Sequence, residues 1–130
     1  MTKKMILIVE DEPQMRELIT LRLQLSGYEV ATASNDEDGI KEMAKIMPDL
    51  IIMDLMMPGM GGYEMCWRLK TNKQFAKIPI LIFSARAGDI DKAKGFQCGA
   101  DDYMTKPFDG EVLVNRVKSL LKGPSSVSYN

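Results

Sequence analysis

Apolar residues in this chain fall into short runs separated by longer amphipathic stretches. Met5-Ile6-Leu7-Ile8-Val9, Leu50-Ile51-Ile52-Met53 and Ile80-Leu81-Ile82-Phe83 are almost wholly apolar, as strands are when both faces of a parallel sheet are covered. Glu29-Val30-Ala31-Thr32-Ala33 and Asp102-Tyr103-Met104-Thr105 are mixed, as expected of edge strands. The stretches between repeat with helical spacing. Pro13 to Leu25 places Met15, Leu18, Ile19 and Leu25 on roughly one face, with Pro13 suited to the first turn and Gly27 to an αL-type stop. Ser34-x-x-Glu37 reads as a capping box opening a helix through Ile46, and Pro48 blocks its continuation. Gly62 to Leu69 carries Met65 and Leu69 at i, i+4, with Cys66 and Trp67 nearby. Asp89 to Cys98 is the weakest helix candidate, because an interior glycine such as Gly95 costs about 1 kcal/mol against alanine. Asp109 can cap a last helix with Leu113, Val117 and Leu120 facing inward.

Strand and helix alternating with short links predict an α/β fold, a doubly wound five-stranded parallel sheet covered on both faces. Two edge strands and three central ones fit the flavodoxin-like order 2-1-3-4-5. In that order the crevice at the topological switch lies between the first and third strands. Residues 1–122 read as one domain, and the uncharged, breaker-rich 123–130 as a flexible tail or the start of a linker.

The chain's 130 residues can bury a real core, and 45% apolar with 27% charged residues is ordinary for a globular domain. A net charge of −1 exerts no global pull toward nucleic acid or a membrane surface. The apolar runs are far shorter than the roughly 20 residues that span a bilayer. Lys3-Lys4 followed by Met5 to Val9 imitates a leader, but the run is short and Glu10-Asp11-Glu12 follows directly. Cys66 and Cys98 lack metal-ligand spacing and read as buried or half-buried free thiols, so a cytoplasmic protein is expected.

The candidate chemistry lies where the runs end. Glu10 and Asp11 follow the first run, Asp54 the third, Ser84 the fourth and Lys106 the fifth, while Ser34, after the second, reads as a helix cap. Two carboxylates about 5 Å apart repel by roughly 3 kcal/mol at an effective dielectric near 20. Three converging acids therefore require a cation or a proton, and hard oxygen ligands favour Mg2+. Asp54, closing the most buried run, could be a metal ligand, a nucleophile, or both. Pro58 and three glycines fix the loop after it. The Ser84 hydroxyl could hydrogen-bond a phosphoryl oxygen, and Lys106 suits phosphate as a point charge. With no histidine there is no Ser-His-Asp or Cys-His arrangement. No G-x-x-x-x-G-K-[ST] loop is present, and no G-x-G-x-x-G follows the first strand.

Ile8-Val9-Glu10-Asp11-Glu12-Pro13, Met53-Asp54-Leu55-Met56-Met57-Pro58-Gly59, Ser84-Ala85-Arg86 and the segment from Gly99 to Phe108 together resemble the CheY-like receiver domain of two-component response regulators. The resemblance covers about residues 4 to 121. It implies that Asp54 is the phosphoacceptor, loaded by a histidine kinase or histidine phosphotransfer protein. It implies Mg2+ held by Asp11, Asp54 and the Met56 backbone carbonyl, with Glu10 acting through water. Ser84 and Lys106 would contact the phosphoryl group, and Tyr103 would be the switch aromatic, turning inward as Ser84 moves. Arg86 and Met56 stand where the family tunes phosphoryl lifetime, and the Lys106-Pro107 bond is expected to be cis. Glu10 replaces a common Asp and Ser84 a common Thr, and neither removes a functional atom type.

Residues 86–116 also resemble receivers of the winged-helix transcription-factor subfamily, which dimerise through the fourth helix, fifth strand and fifth helix. Lys92, Asp102 and Arg116 fit that charge pattern, while Val112 stands where a Glu is usual. A homodimer through this face is the implied assembly, with no direct nucleic-acid binding by this chain and no membrane association. The reading is a phosphorylation-switched signalling module rather than a conventional enzyme. The alternatives are a Mg2+-dependent phosphohydrolase with Asp54 as nucleophile and a phosphorylation-independent binding module. The hydrolase lacks an acid two residues after Asp54, where Met56 stands. The binding module leaves the acid, hydroxyl and lysine set unexplained.

Overall fold

The computed structural model describes residues 3–56, 59–107 and 109–122. Among these, strands and helices alternate as β1 (Met5–Val9), α1 (Pro13–Leu25), β2 (Glu29–Ala33), α2 (Asp36–Ile46) and β3 (Leu50–Met53). The second half continues as α3 (Gly62–Thr71), β4 (Ile80–Ser84), α4 (Asp89–Gln97), β5 (Asp102–Thr105) and α5 (Gly110–Lys122). All pairings are parallel, in the order β2-β1-β3-β4-β5. The predicted order holds because the apolar runs lie in the middle and the mixed ones at the edges. The proposed tail, 123–130, lies outside the described residues.

The two-residue period of a strand divides the core into two layers. Leu7, Val9, Ile51, Met53, Ile80 and Ile82 face one side, where Met43 of α2 and Met65 and Leu69 of α3 cover them. Ile6, Ile8, Leu50, Ile52, Leu81 and Phe83 face the other, under Ile19 and Leu23 of α1 and Leu113 and Val117 of α5. Gly95 brings α4 close to the first layer, where an added Cβ would lie 3.0 Å from Ile82 and 3.1 Å from the Tyr103 ring. None of the helices among the described residues is long and apolar enough to cross a membrane.

Two local expectations are corrected. The inward stripe of α1 is Met15, Ile19 and Leu23, and Leu18 and Leu25 are exposed. Leucines at 18, 21, 23 and 25 leave the stripe ambiguous by spacing, and contact with the sheet selects the i, i+4, i+8 set. Ser34 is exposed, and the N-cap of α2 is Asn35, whose side chain accepts the Asp38 N–H at 2.8 Å. The other punctuation matches. Pro13 opens α1, Gly27 follows it at φ +96°, and Asp109 Oδ1 accepts the Val112 N–H at 3.1 Å. Cys66 is buried and Cys98 half-buried, both as free thiols.

Candidate functional site

Parallel strands deliver their following residues to one edge of the sheet. β1 continues into Glu10, whose N–H reaches the Ala33 carbonyl at 3.0 Å, and β3 into Asp54, whose N–H reaches the Val9 carbonyl at 3.2 Å. Ser84 closes β4, and the Lys106 N–H reaches its carbonyl at 2.8 Å. Glu10, Asp54 and Lys106 therefore sit one step beyond a strand held by its neighbours, Ser84 at the last step of one, and Asp11 one residue after Glu10.

The acids converge. Glu10, Asp11 and Asp54 each offer a carboxylate oxygen, and these atoms lie within 4.8 Å of one another. Glu10 and Asp54 are buried at 2% and 5% exposure, while Asp11 opens to solvent. Lys106 extends over this group, its Nζ 2.8 Å from Asp54 Oδ2 and 3.0 Å from Glu10 Oε1. The ammonium also lies 5.8 Å from the centroid of the Phe83 ring. Three hard carboxylates against one lysine leave negative charge uncompensated, a donor set that fits a hard divalent cation.

The electrostatics follow from this crowding. Burial pushes the Glu10 carboxyl above the ordinary carboxylate range, even though Lys106 pulls it back. Burial alone would lower the Lys106 ammonium, but its hydrogen bonds and charge pairing with Asp54 and Glu10 outweigh that and raise it. Both shifts describe one pair of acids sharing one cation.

Around this centre, Asp54 Oδ1 accepts the Met56 N–H at 3.0 Å, bending the chain directly after the strand. Ser84 is fully buried, and its Oγ accepts the Arg86 N–H at 3.2 Å. Tyr103 is also buried and donates its hydroxyl to the Arg86 carbonyl at 2.7 Å, so the β4–α4 loop is tied to the last strand. The Lys106-Pro107 peptide is cis, as the resemblance implied. Met57, Pro58 and Phe108, part of the recognised segments, lie outside the described residues.

A sequence profile for the response regulator receiver domain matches residues 6–118. The chain belongs to the response regulator receiver domain family. This receiver domain is 43% identical over 120 residues to the DNA-binding dual master transcriptional regulator RpaA of Synechocystis sp., covering 90% of the chain and 48% of that protein. It is 41% identical over 122 residues to the phosphate regulon transcriptional regulatory protein PhoB of Pseudomonas aeruginosa, covering 94% and 53%. The chain thus spans about half the length of these curated relatives. A crystal structure of a response regulator from Chloroflexus aurantiacus superposes with a TM-score of 0.90 at 36% identity, over 93% of this chain and 99% of that one.

The receiver's charge pattern for a dimer is placed differently from the rest. Asp102 Oδ1 receives Arg116 Nη1 at 2.7 Å within the chain, so these two already satisfy each other. Lys92 is half-buried on α4, and Val112 is exposed on α5. Sequence reasoning missed two contributors. Arg16 of α1 donates Nη1 to the Glu10 carbonyl at 2.8 Å, and Asp36 is a buried carboxylate at the start of α2. Nothing in the local sequence distinguishes Asp36 from its capping neighbours Asn35, Glu37 and Asp38.

Proposed function

We propose that this receiver domain is a phosphorylation-dependent switch of a two-component system, with Asp54 as its phosphoacceptor. The observation that carries the reading is the Lys106 ammonium bridging Asp54 and Glu10 at 2.8 and 3.0 Å, beside the exposed Asp11. The carboxylate of Asp54 attacks phosphorus, an acyl-phosphate bond forms, and the bond to the donor nitrogen of a kinase or phosphotransfer histidine breaks. Asp11, Asp54 and the Met56 carbonyl would hold Mg2+, with Glu10 through water, and the ion would supply neutralisation of phosphoryl charge.

The chain's own groups do the rest. Lys106 starts paired to the acceptor, so it is positioned to follow the charge onto the phosphoryl group. Ser84, at the end of the neighbouring strand, donates its hydroxyl to the same group. Its oxygen accepts the Arg86 N–H, so a hydroxyl that shifts to donate to the phosphoryl group draws the β4–α4 loop with it. Moving a conformer from about 1:99 to 99:1 needs about 5.5 kcal/mol. A charge-assisted hydrogen bond supplies roughly 1.5–3 kcal/mol, so Ser84, Lys106 and backbone donors act jointly. Tyr103, tied to Arg86, carries the movement to the α4-β5-α5 face. That face is the output surface, and a homodimer formed there re-partners the Asp102–Arg116 pair.

The test is labelling by acetyl phosphate with Mg2+, read as a mass gain of one phosphoryl group. Wild type should label, and Asp54→Asn should not. A wild type that binds Mg2+ yet stays unlabelled overturns the proposal.

A further inference from the structure

Among the described residues four polar or charged side chains are buried, Glu10, Asp36, Asp54 and Ser84. Three belong to the site already described. Asp36, 3% exposed, is the fourth, and it lies on α2 rather than at a strand end.

Its carboxylate is fully used. Oδ1 accepts the N–H of the next residue, Glu37, at 2.8 Å. Oδ2 reaches across to the loop between β3 and α3, where it accepts the N–H of Gly61 at 3.1 Å and that of Met60. These are the two amides directly before α3. Gly61 is the N-cap of that helix, has φ +91°, and contributes no side-chain cap. A side chain at this φ and ψ would be strained, and a cap there would serve the amides of residues 63 and 64 rather than those of Met60 and Gly61. These two take their acceptor from 24 and 25 residues earlier in the chain. Gly59, at φ +108°, makes room for it, since a Cβ there would lie 2.5 Å from Asp36 Oδ1. A carboxylate at two helix N-termini is also favoured by both macrodipoles.

The same loop begins at the phosphoacceptor. Its first turn is fixed by Met56 N–H on Asp54 Oδ1 at 3.0 Å, and its base by Gly62 N–H on the Leu55 carbonyl at 3.3 Å. Asp36 holds the remaining end. We propose that Asp36 is a positioning residue for the phosphoryl site, pinning Met60 and Gly61 next to Gly62, whose N–H on the Leu55 carbonyl sets the adjoining Met56 backbone that would face Mg2+. This rests on the proposed function above. An unpinned loop must be ordered when the ion binds, so the loss appears as weaker Mg2+ affinity and not as slower transfer at saturation.

Calorimetric titration with Mg2+ alone is the first measurement. Asp36→Ala should weaken Mg2+ binding by about tenfold, the low end of the loss when a direct partner of a metal ligand is removed, because Asp36 acts through the loop and not on a ligand itself. The Mg2+ concentration for half-maximal labelling by acetyl phosphate should rise equally, with the saturated rate unchanged, and the Met60 and Gly61 amides should exchange faster. Asp49→Ala is the control, because Asp49 Oδ2 accepts the Met5 N–H at 2.7 Å, away from the loop, and it should leave Mg2+ affinity intact. If Asp36→Ala does not fold, Asp36→Asn keeps one acceptor oxygen for the loop and should show an intermediate loss. Folded Asp36 variants with wild-type Mg2+ affinity, or an equal loss in Asp49→Ala, overturn the inference alone. A wild type that neither binds Mg2+ nor labels overturns the proposed function, and this inference with it.

Discussion

Lys106 Nζ stands 2.8 Å from Asp54 Oδ2, joining the residue after β5 to the residue after β3 across the end of the intervening strand. The same ammonium holds Glu10 at 3.0 Å, so one cation serves two buried acids.

Removing that cation should be costly at neutral pH. Lys106→Met leaves Glu10 and Asp54 buried without a counter-charge, and breaking a buried pair from one side costs about 3 kcal/mol or more. Without the ammonium Glu10 takes up a proton still more readily, so the deficit should shrink as pH falls toward 4.5, the ordinary value for this carboxyl. Urea unfolding at pH 7 and pH 5 reads both effects. Equal deficits at the two values would show that the cost is lost packing rather than charge.

Glu10 should show the opposite economy. Its folded pKa is raised by burial, so the native state binds its proton more readily than the unfolded chain does. That contribution is fully present below 4.5 and is lost as pH rises through the raised value. Glu10→Gln should therefore be more stable than wild type at pH 7 without Mg2+, with a flatter dependence on pH from 4.5 upward, yet bind Mg2+ more weakly. Thermal melts with and without Mg2+ test the pair of signs, and a less stable variant in Mg2+-free buffer would contradict the prediction.

Ser84→Ala should separate loading from signalling. The hydroxyl is fully buried and engaged with Arg86, not with the acid cluster in any described contact. Labelling should persist, while the amide chemical-shift changes that phosphorylation produces in β5 and α5 should shrink. Loss of phosphoacceptance in a folded Ser84→Ala would reassign the residue.

The two thiols should differ sharply in reactivity. Burial pushes the Cys66 thiol from 9.0 up to about 12, with the nearby Cys98 adding to it. Cys66 therefore carries essentially no thiolate at pH 8 and should be modified by a disulfide reagent only on unfolding. Half-buried Cys98 should react first, as mass mapping would show. Because the Cys66 shift is upward, its stability contribution is full below 9 and is lost as pH rises toward 12.

Much of this was legible in one dimension because strand burial leaves a compositional mark. Apolar runs at β1, β3 and β4 flanked by mixed β2 and β5 specify which strands are central, and the polar residue ending each run then falls on one edge by topology. Glu10, Asp11, Asp54, Ser84 and Lys106 are legible on that ground, and their convergence is geometric. The α1 stripe was not legible, because four leucines in eight positions satisfy more than one helical face.

The chain by itself determined the order of elements, the parallel sheet and the residues at its chemical edge. Each of these follows from local burial, periodicity and short links. Only the tertiary structure decided the partners. Lys106 meets Asp54 across 52 residues, Asp102 is taken by Arg116 within the chain, and Asp36 reaches Gly61 from another helix. Such contacts depend on how the layers stack and on which backbone amides lack a local acceptor. A sequence carries the charge of Asp36, but only the fold shows whose amides it satisfies.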